Sequence, residues 1–403
     1  MLEKPGGRSA TLIFHRHIVR HAYAPGRINL IGDHTDYNAG LALPMAIDLG
    51  TWTTYSSNPS DRLLCISSAD PSPIEIPIDL AFDATSLSHL QPRWSRLAAA
   101  IAALGNSRNG GVVRSTTTLA MDAGLSSSAA FAVSFAMALG IDIPAIPLAK
   151  LCQRSEIAIG SNVGLMDPLV SIVAKSGSAV LINFNDISYE DVAIPEGVDV
   201  VAVHSGVSRT IGSTSYMARR AECDAATLAL GRPVGLAEEA DIPGVIDPLL
   251  RRRVRHVVTE CIRVKAFVQA LRDKDLVSAG RLMSDSHTSL RDDFESSTPV
   301  VDSLVAKLQD TPGVYGARMT GGGFGGYVVA LCEKDALDPA TFGHGARKVV
   351  PSQGASVITN TSLLDNESDE SDEIKSNGTD KNKADVTSKA NNSYGMSLSD
   401  HLD

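Results

Sequence analysis

Apolar positions recur along the chain with two different periods. Alternation, or a short apolar run bounded by turn residues, predicts strands at HAYAPGRINLIG (21–32), SAVLINF (178–184), DVVAVHSG (199–206) and GGYVVALCE (325–333). Helical spacing predicts helices at SAAFAVSFAMALG (128–140), DPLVSIVAKSG (167–177), SYMARRAECDAATLALG (215–231) and RRRVRHVVTECIRVKAFVQALRDKD (251–275). Both kinds of element are interleaved without an internal repeat, which predicts a mixed α/β or α+β protein. The polar stretch NDISYEDVAIPEGVD (185–199) reads as a passage between two domains, with the boundary between residues 186 and 199.

The pattern stops near Asn360, where Ser, Asn, Asp and Lys replace branched apolar residues. A tail of this composition buries too little surface to offset its ordering entropy, so residues 359–403 are expected to be a disordered, solvated extension. The whole chain has 403 residues, 43% hydrophobic and 20% charged, which suits two packed domains. A net charge of -10 excludes a global attraction to nucleic acid or an anionic membrane, but leaves room for a local basic pocket that holds phosphate. The five cysteines are scattered, with no CxxC or other ligand spacing, and read as reduced cytosolic thiols. The N-terminal apolar patch is too short and too interrupted by charge for a signal or membrane segment. A cytoplasmic protein with small-molecule partners is expected.

Three stretches carry chemistry. In APGRINLIGDHTDYNAG (24–40), Asp33, His34, Asp36, Tyr37 and Asn38 crowd together directly after a strand that fixes Arg27. In LAMDAGLSSSAAFAVSFAMALG, Gly124, Leu125, Ser126, Ser127 and Ser128 precede a helical run. Small residues let backbone N–H groups converge on an anion at a helix N-terminus, so this is either a phosphate cradle or a Ser-capped buried helix; it is not a GxxxxGK[ST] loop. In YGARMTGGGFGGYVVAL, Gly321, Gly322 and Gly323 lie before a strand, as a close-approach loop for a nucleotide or as a tight hairpin. Asp167 precedes Pro168, which is what an N-cap followed by Pro at the first helical position looks like, and equally what a carboxylate placed to accept a hydroxyl proton looks like. Phosphoryl transfer asks for such a base, a cation, Mg²⁺ ligands and a nucleotide cradle; Asp167, Arg27, the pair Ser128 and Glu156, and the serine loop are candidates for these.

With these residues laid out, the sequence resembles the galactokinase branch of the GHMP kinase superfamily over roughly residues 20–335, through GRINLIGDHTDYNAGLALPMAI, GLSSSAA and TGGGFGG in order. The resemblance implies an α+β, two-domain GHMP kinase fold: residues 1–190 like the second domain of ribosomal protein S5, residues 191–358 ferredoxin-like, and the active site between them. It implies ATP-dependent phosphorylation of galactose at C1 with Mg²⁺, by a monomer without nucleic-acid or membrane partners. It assigns Asp167 and Arg27 to catalysis, and Asp33, His34, Asp36, Gly164 and Tyr216 to the sugar. Trp94, Gly124, Leu125, Ser126, Ser127, Ser128, Gly322 and Gly323 fall to the nucleotide, and Ser128 and Glu156 to the metal. The sequence departs from the family at Asp33, where Glu is usual, at Pro168, where Gln is usual, and at Tyr327, where Cys is usual. Three functions remain open at this point: a galactose kinase, a kinase for a relative such as an amino sugar, a uronic acid or arabinose, and a catalytically weak sugar-binding regulator.

Overall fold

The structure is a computed structural model that describes residues 16–363 apart from 108, 121–123, 162, 208–212 and 344. The first half of the chain supplies β1 (Arg16–Asn29), β2 (Leu41–Ala42), β3 (Pro44–Ser57), β4 (Arg62–Ser67), β5 (Asp70–Pro77), α1 (Ala84–Ser88), α2 (Arg93–Leu104) and β6 (Gly111–Thr117). Then come α3 (Ser127–Ala138), α4 (Ala145–Ala158), α5 (Met166–Val173), β7 (Ser178–Asn183) and β8 (Ser188–Ala193). The second half supplies β9 (Val198–His204), α6 (Ser213–Leu230), α7 (Pro248–Arg272), α8 (Leu276–Asp292), α9 (Pro299–Gln309), β10 (Val314–Met319), β11 (Tyr327–Glu333), β12 (Ala346–Val349) and β13 (Ser356–Leu363). The eight strands and helices expected from periodicity are all present within a few residues of their expected ends.

A six-stranded sheet runs in the order β13-β1-β3-β6-β4-β5, a four-stranded sheet in the order β10-β11-β9-β12, and a three-stranded sheet in the order β2-β7-β8. Among the described strands, only β4 and β6 pair in parallel. Where β1 meets α3 its inward residues are small: Ala22 and Ala24 are fully buried. They allow α3 to lie close on the six-stranded sheet, and α3 itself buries Ala129, Ala130, Ala132, Val133, Phe135, Ala136 and Ala138. A helix apolar on every side belongs in the interior, between the sheet and its neighbours α2 and α4. A second cluster joins Ile28, Leu30, Ile31 and Leu43 to Val264 and Phe267 of α7 and to Val329 and Leu331 of β11. The polar loop after β1 is therefore clamped between two sheets and a long helix, which fixes it without regular structure of its own beyond a 3-10 turn at Asp36–Asn38.

Two sequence expectations differ from the structure. The polar stretch 185–199 holds strand β8, which pairs with β7 from Ser178↔Ala193 to Asn183↔Ser188. Only Val192 of this strand is buried, so an edge strand washed by solvent on nearly every residue looks like a loop in composition. At the other end, β13 runs through residue 359 and pairs antiparallel with β1 from Tyr23↔Ser356 to Arg16↔Leu363. The compositional tail from residue 364 lies outside the described residues, as does the N-terminal patch 1–15. All five cysteines are free and buried.

Candidate active site

The register of β1 shifts between Pro25 and Arg27. A Cβ on the intervening Gly26 would meet Leu125 O at 2.6 Å, so only glycine lets this strand touch the serine loop. The bulge re-aims Arg27, whose backbone N–H donates to Leu125 O at 3.2 Å. Its side chain is almost wholly buried and donates from each of its three nitrogens: Nε to Asp167 Oδ1 at 2.8 Å, Nη2 to Asp167 Oδ2 at 2.7 Å, and Nη1 to Gly124 O at 2.8 Å. A bidentate guanidinium–carboxylate pair fixes the planes of both groups.

Asp167 does not cap its helix. The N-cap of α5 is Leu165, and Asp167 lies in the first turn with its carboxylate turned to Arg27. Pro168 is tolerated because the first turn has no intrahelical acceptor for its missing N–H. Ser126 departs from expectation in a related way. It is the N-cap residue of α3, in the left-handed region at φ 62°, yet its side chain makes no cap hydrogen bond. Its hydroxyl donates instead to Asp167 Oδ2 at 2.5 Å.

Two cavities open on either side of this pair. The larger, about 660 Å³, is lined by Gly124, Ser126, Ser127, Ser128, Trp94, Phe131 and Glu156. The smaller, about 340 Å³, is lined by Asp33, His34, Asp36, Gly164, Tyr216 and Gly321 to Gly323. Arg27, Asp167, Arg93, Ser161 and Val163 line both, so the two form one crevice with the ion pair at the junction.

On the larger side, the Trp94 ring meets Phe131 edge-on at 6.2 Å, and its buried indole N–H has no acceptor among the described residues. Leu125, assigned to the nucleotide by resemblance, has a buried side chain, so only its backbone can serve the loop. Glu156 is 2% exposed. Burial pushes its carboxyl up to about 7, against a hydrogen bond from Ser128 that pulls it down. Its Oε1 has no hydrogen-bond partner among the described residues. A buried acceptor left without a partner beside a hydroxyl is a hard-cation donor set with open positions, which suits Mg²⁺ bound mainly by water and phosphate oxygens. Among the described residues no group of three or more His, Cys, Asp and Glu is placed to hold a metal.

Two of the expected assignments bear on the smaller cavity. Gly322 and Gly323 line it with Asp33 and Tyr216, and they are not among the residues that line the Trp94 cavity. The reason is the β10–β11 turn, which is pinned to the loop after β1 by Gly321 N donating to Asp33 Oδ1 at 3.0 Å. Asp33 itself is 2% exposed, and its oxygens are already occupied. Asn29 Nδ2 donates to Oδ1 at 2.9 Å and Arg318 Nη2 to Oδ2 at 2.7 Å. Beneath it, Glu260 accepts from Gly32 N, Ser286 Oγ and Arg263 Nε. Burial pushes the Glu260 carboxyl up, but Arg263 and Arg318 outweigh it and hold it at about 2. Asp33 thus ties the loop to β10 and shapes the cavity floor.

The remaining wall residues face inward. His34 adopts φ 64°, bonds Tyr37 Oη through Nδ1 at 2.9 Å and packs its ring on Phe294 at 4.3 Å and Tyr216 at 5.7 Å. Asp36 lies against Gly164, where a Cβ would fall 1.5 Å from Oδ2. Burial, and then the charge of Asp167, raise its carboxyl to about 6. Sequence reading missed Arg93, whose Nη2 donates to Ser161 Oγ at 2.7 Å. It also missed Arg318 and Glu260, although a charged residue inside an otherwise apolar strand or helix face is a signal for a buried ion pair.

Comparison with known proteins agrees with this geometry. The Galactokinase galactose-binding signature matches residues 13–57, the GHMP kinases N terminal domain residues 95–175, and the GHMP kinases C terminal description residues 267–341. A galactokinase of Roseiflexus sp. (strain RS-1) is 35% identical over 348 residues, covering 82% of this chain and 86% of its own. The crystal structure of Lactococcus lactis galactokinase complexed with galactose superposes with a TM-score of 0.77 at 26% identity, covering 84% of this chain and 95% of its own. The Methanococcus jannaschii mevalonate kinase shares the fold alone, with a TM-score of 0.56 at 15% identity over 88% of this chain and 100% of its own. The α+β architecture is the two-domain GHMP kinase fold. The chain belongs to the galactokinase family.

Proposed function

We propose that the protein transfers the γ-phosphoryl group of ATP to the C1 hydroxyl of galactose, giving galactose 1-phosphate and ADP. The observation that carries this reading is the Arg27–Asp167 pair at the junction of a serine-lined and a hydroxyl-recognising cavity. Phosphoryl transfer depends mainly on positioning and charge stabilisation, and the junction is the place where donor and acceptor can meet. Asp167 takes the proton of the C1 hydroxyl, and Arg27 holds the carboxylate in plane through two hydrogen bonds. Asp36, His34, Tyr216 and the space left by Gly164 orient the sugar, while Asp33 and the glycine turn close the floor. On the other side, Gly124 to Ser128 cradle phosphates at the N-terminus of α3, and Trp94 lies beside the base. Ser128 and Glu156 are the residues that would hold Mg²⁺, which supplies neutralisation of phosphate charge. Gly322 and Gly323 serve the sugar side rather than the nucleotide. Residues 1–190 and 191–358 are read as the two halves of a cytoplasmic monomer; no described helix is long and apolar enough to cross a membrane.

One observation favours a second reading. Because Asn29, Arg318 and Gly321 occupy the Asp33 oxygens, a sugar hydroxyl facing that corner must find other partners, and a galactose relative altered there loses little. The test is to supply Mg-ATP with galactose, galactosamine, galacturonic acid or arabinose and to score sugar 1-phosphate and ADP separately. Equal yields of galactose 1-phosphate and ADP, with the highest kcat/KM for galactose, are expected. A higher kcat/KM for another sugar replaces galactose with that sugar, ADP alone means uncoupled hydrolysis, and no product from any sugar favours a regulator.

A further inference from the structure

Ser126 stands where a helix ordinarily receives its cap, and everything about its geometry is turned away from that task. A capping serine has an extended backbone and gives its hydroxyl oxygen to an amide of the first turn. Ser126 instead has φ 62° and ψ 42° and makes no cap bond. This left-handed conformation is unfavourable for a residue with a Cβ, and it persists where the surroundings over-determine it. What it achieves is twofold: the hydroxyl swings out to Asp167 Oδ2, and the first-turn amides of α3 are left to a ligand in the larger cavity.

The loop makes two further links to the same ion pair. Gly124 O accepts from Arg27 Nη1, and Leu125 O accepts from Arg27 N. Three consecutive residues of the serine loop are thus bonded to Arg27 or Asp167, and of these only Ser126 reaches the carboxylate through a side chain.

We propose that Ser126 is a positioning residue for Asp167, through which occupancy of the triphosphate loop sets the orientation of the carboxylate toward the sugar. The inference rests on the kinase reading above, in which Asp167 is the base. Triphosphate pressing on the loop moves the Ser126 hydroxyl, and the carboxylate it holds moves with it. Sugar and nucleotide sites are coupled through one hydrogen bond, and by linkage the coupling is the same in both directions.

The experiment compares the full chain with Ser126→Gly, which accepts φ 62° without strain, and Ser126→Ala, which keeps a Cβ but not the hydroxyl. Steady-state kinetics with Mg-ATP and galactose are combined with calorimetric titration of galactose in the presence and absence of a non-hydrolysable ATP analogue. Both variants are expected to lose on the order of 10- to 100-fold in kcat with KM for either substrate changed by less than about threefold. The dependence of galactose affinity on the analogue is expected to disappear. Retention of Ser126→Gly kcat within about twofold overturns the inference, as does a raised nucleotide KM at full kcat, which makes Ser126 a phosphate contact only. A loss of kcat confined to Ser126→Ala also overturns it, because the loop backbone and not the hydroxyl is then responsible. A parent chain with no turnover of any sugar overturns the kinase reading and this inference together, whereas an active parent with an undisturbed Ser126→Gly variant overturns this inference alone.

Discussion

A Cβ added to Gly164 would lie 1.5 Å from Oδ2 of Asp36, so the carboxylate occupies the volume that any other residue at 164 would need for its own side chain. Gly164 has no left-handed backbone to explain it, and the demand is steric alone. Gly164→Ala is therefore expected to swing Asp36 out of the sugar cavity. Loss of a hydrogen bond to a charged group is worth about 1.5–3 kcal/mol, so galactose KM should rise roughly 10- to 100-fold with nucleotide KM unchanged. Initial-rate kinetics with each substrate varied in turn checks this.

Asp167→Asn keeps size and polarity but removes the base. Turnover is expected to fall by about 10²- to 10⁴-fold. Titration with a non-hydrolysable ATP analogue should still show binding close to that of the parent, because the serine loop is held by Arg27 through Gly124 and Leu125 as well. Unchanged turnover would remove Asp167 from the mechanism.

Asp36 gives a pH dependence. Burial first, then Asp167 and Asp33, raise its carboxyl to about 6, while the Tyr37 N–H and Arg220 pull it down. As an acceptor for sugar hydroxyls it must be ionised, so galactose affinity measured by calorimetry should weaken as pH falls through about 6. The sign for stability is opposite. The folded value lies above the ordinary 3.8, so the contribution of the neutral form is complete below 3.8 and is lost as pH rises through about 6. With the crevice open to solvent this amounts to on the order of 1 kcal/mol. Asp36→Asn should accordingly raise the melting temperature of the sugar-free protein at pH 8 while weakening sugar binding.

Arg318 is fully buried between Asp33 and Glu260. Arg318→Met leaves both carboxylates without their shared cation, and breaking a buried pair from one side costs about 3–5 kcal/mol. Denaturant unfolding should show that loss, with a raised galactose KM from a cavity floor no longer pinned at Asp33.

Glu156→Gln removes the charge that the orphaned Oε1 offers a cation while keeping the side chain's shape. The Mg²⁺ concentration for half-maximal rate should rise at least several-fold, and the fold should be retained, since burial already disfavours the charged form. A magnesium titration at fixed ATP, with circular dichroism as control, measures both.

Much of this arrangement was legible in the sequence, for identifiable reasons. Strands and helices with a dry face, such as β9, β11, α3 and α7, are written in their periodicity. The site residues were legible as three small or polar clusters, and the structure brings Arg27, Asp167, Ser128 and Glu156 around one crevice. Strand β8 was hidden because its exposed face removes alternation. The side taken by Gly322 and Gly323 was hidden because it depends on the bond from Gly321 N to Asp33, between residues far apart in the chain. The Ser126–Asp167 bond was hidden likewise: local preference makes a serine before a helix and an aspartate before a proline into caps, and only tertiary packing turns both side chains inward.

The pairing of β13 with β1 sets an order on the birth of this protein. During synthesis the strand carrying Arg27 leaves the ribosome early, yet one of its edges stays bare until residues 356–363 have been translated. Among the described strands the one that completes the first sheet is made last, and a nascent chain that stalls before it presents the edge of the 14-residue β1 in place of that of the 8-residue β13.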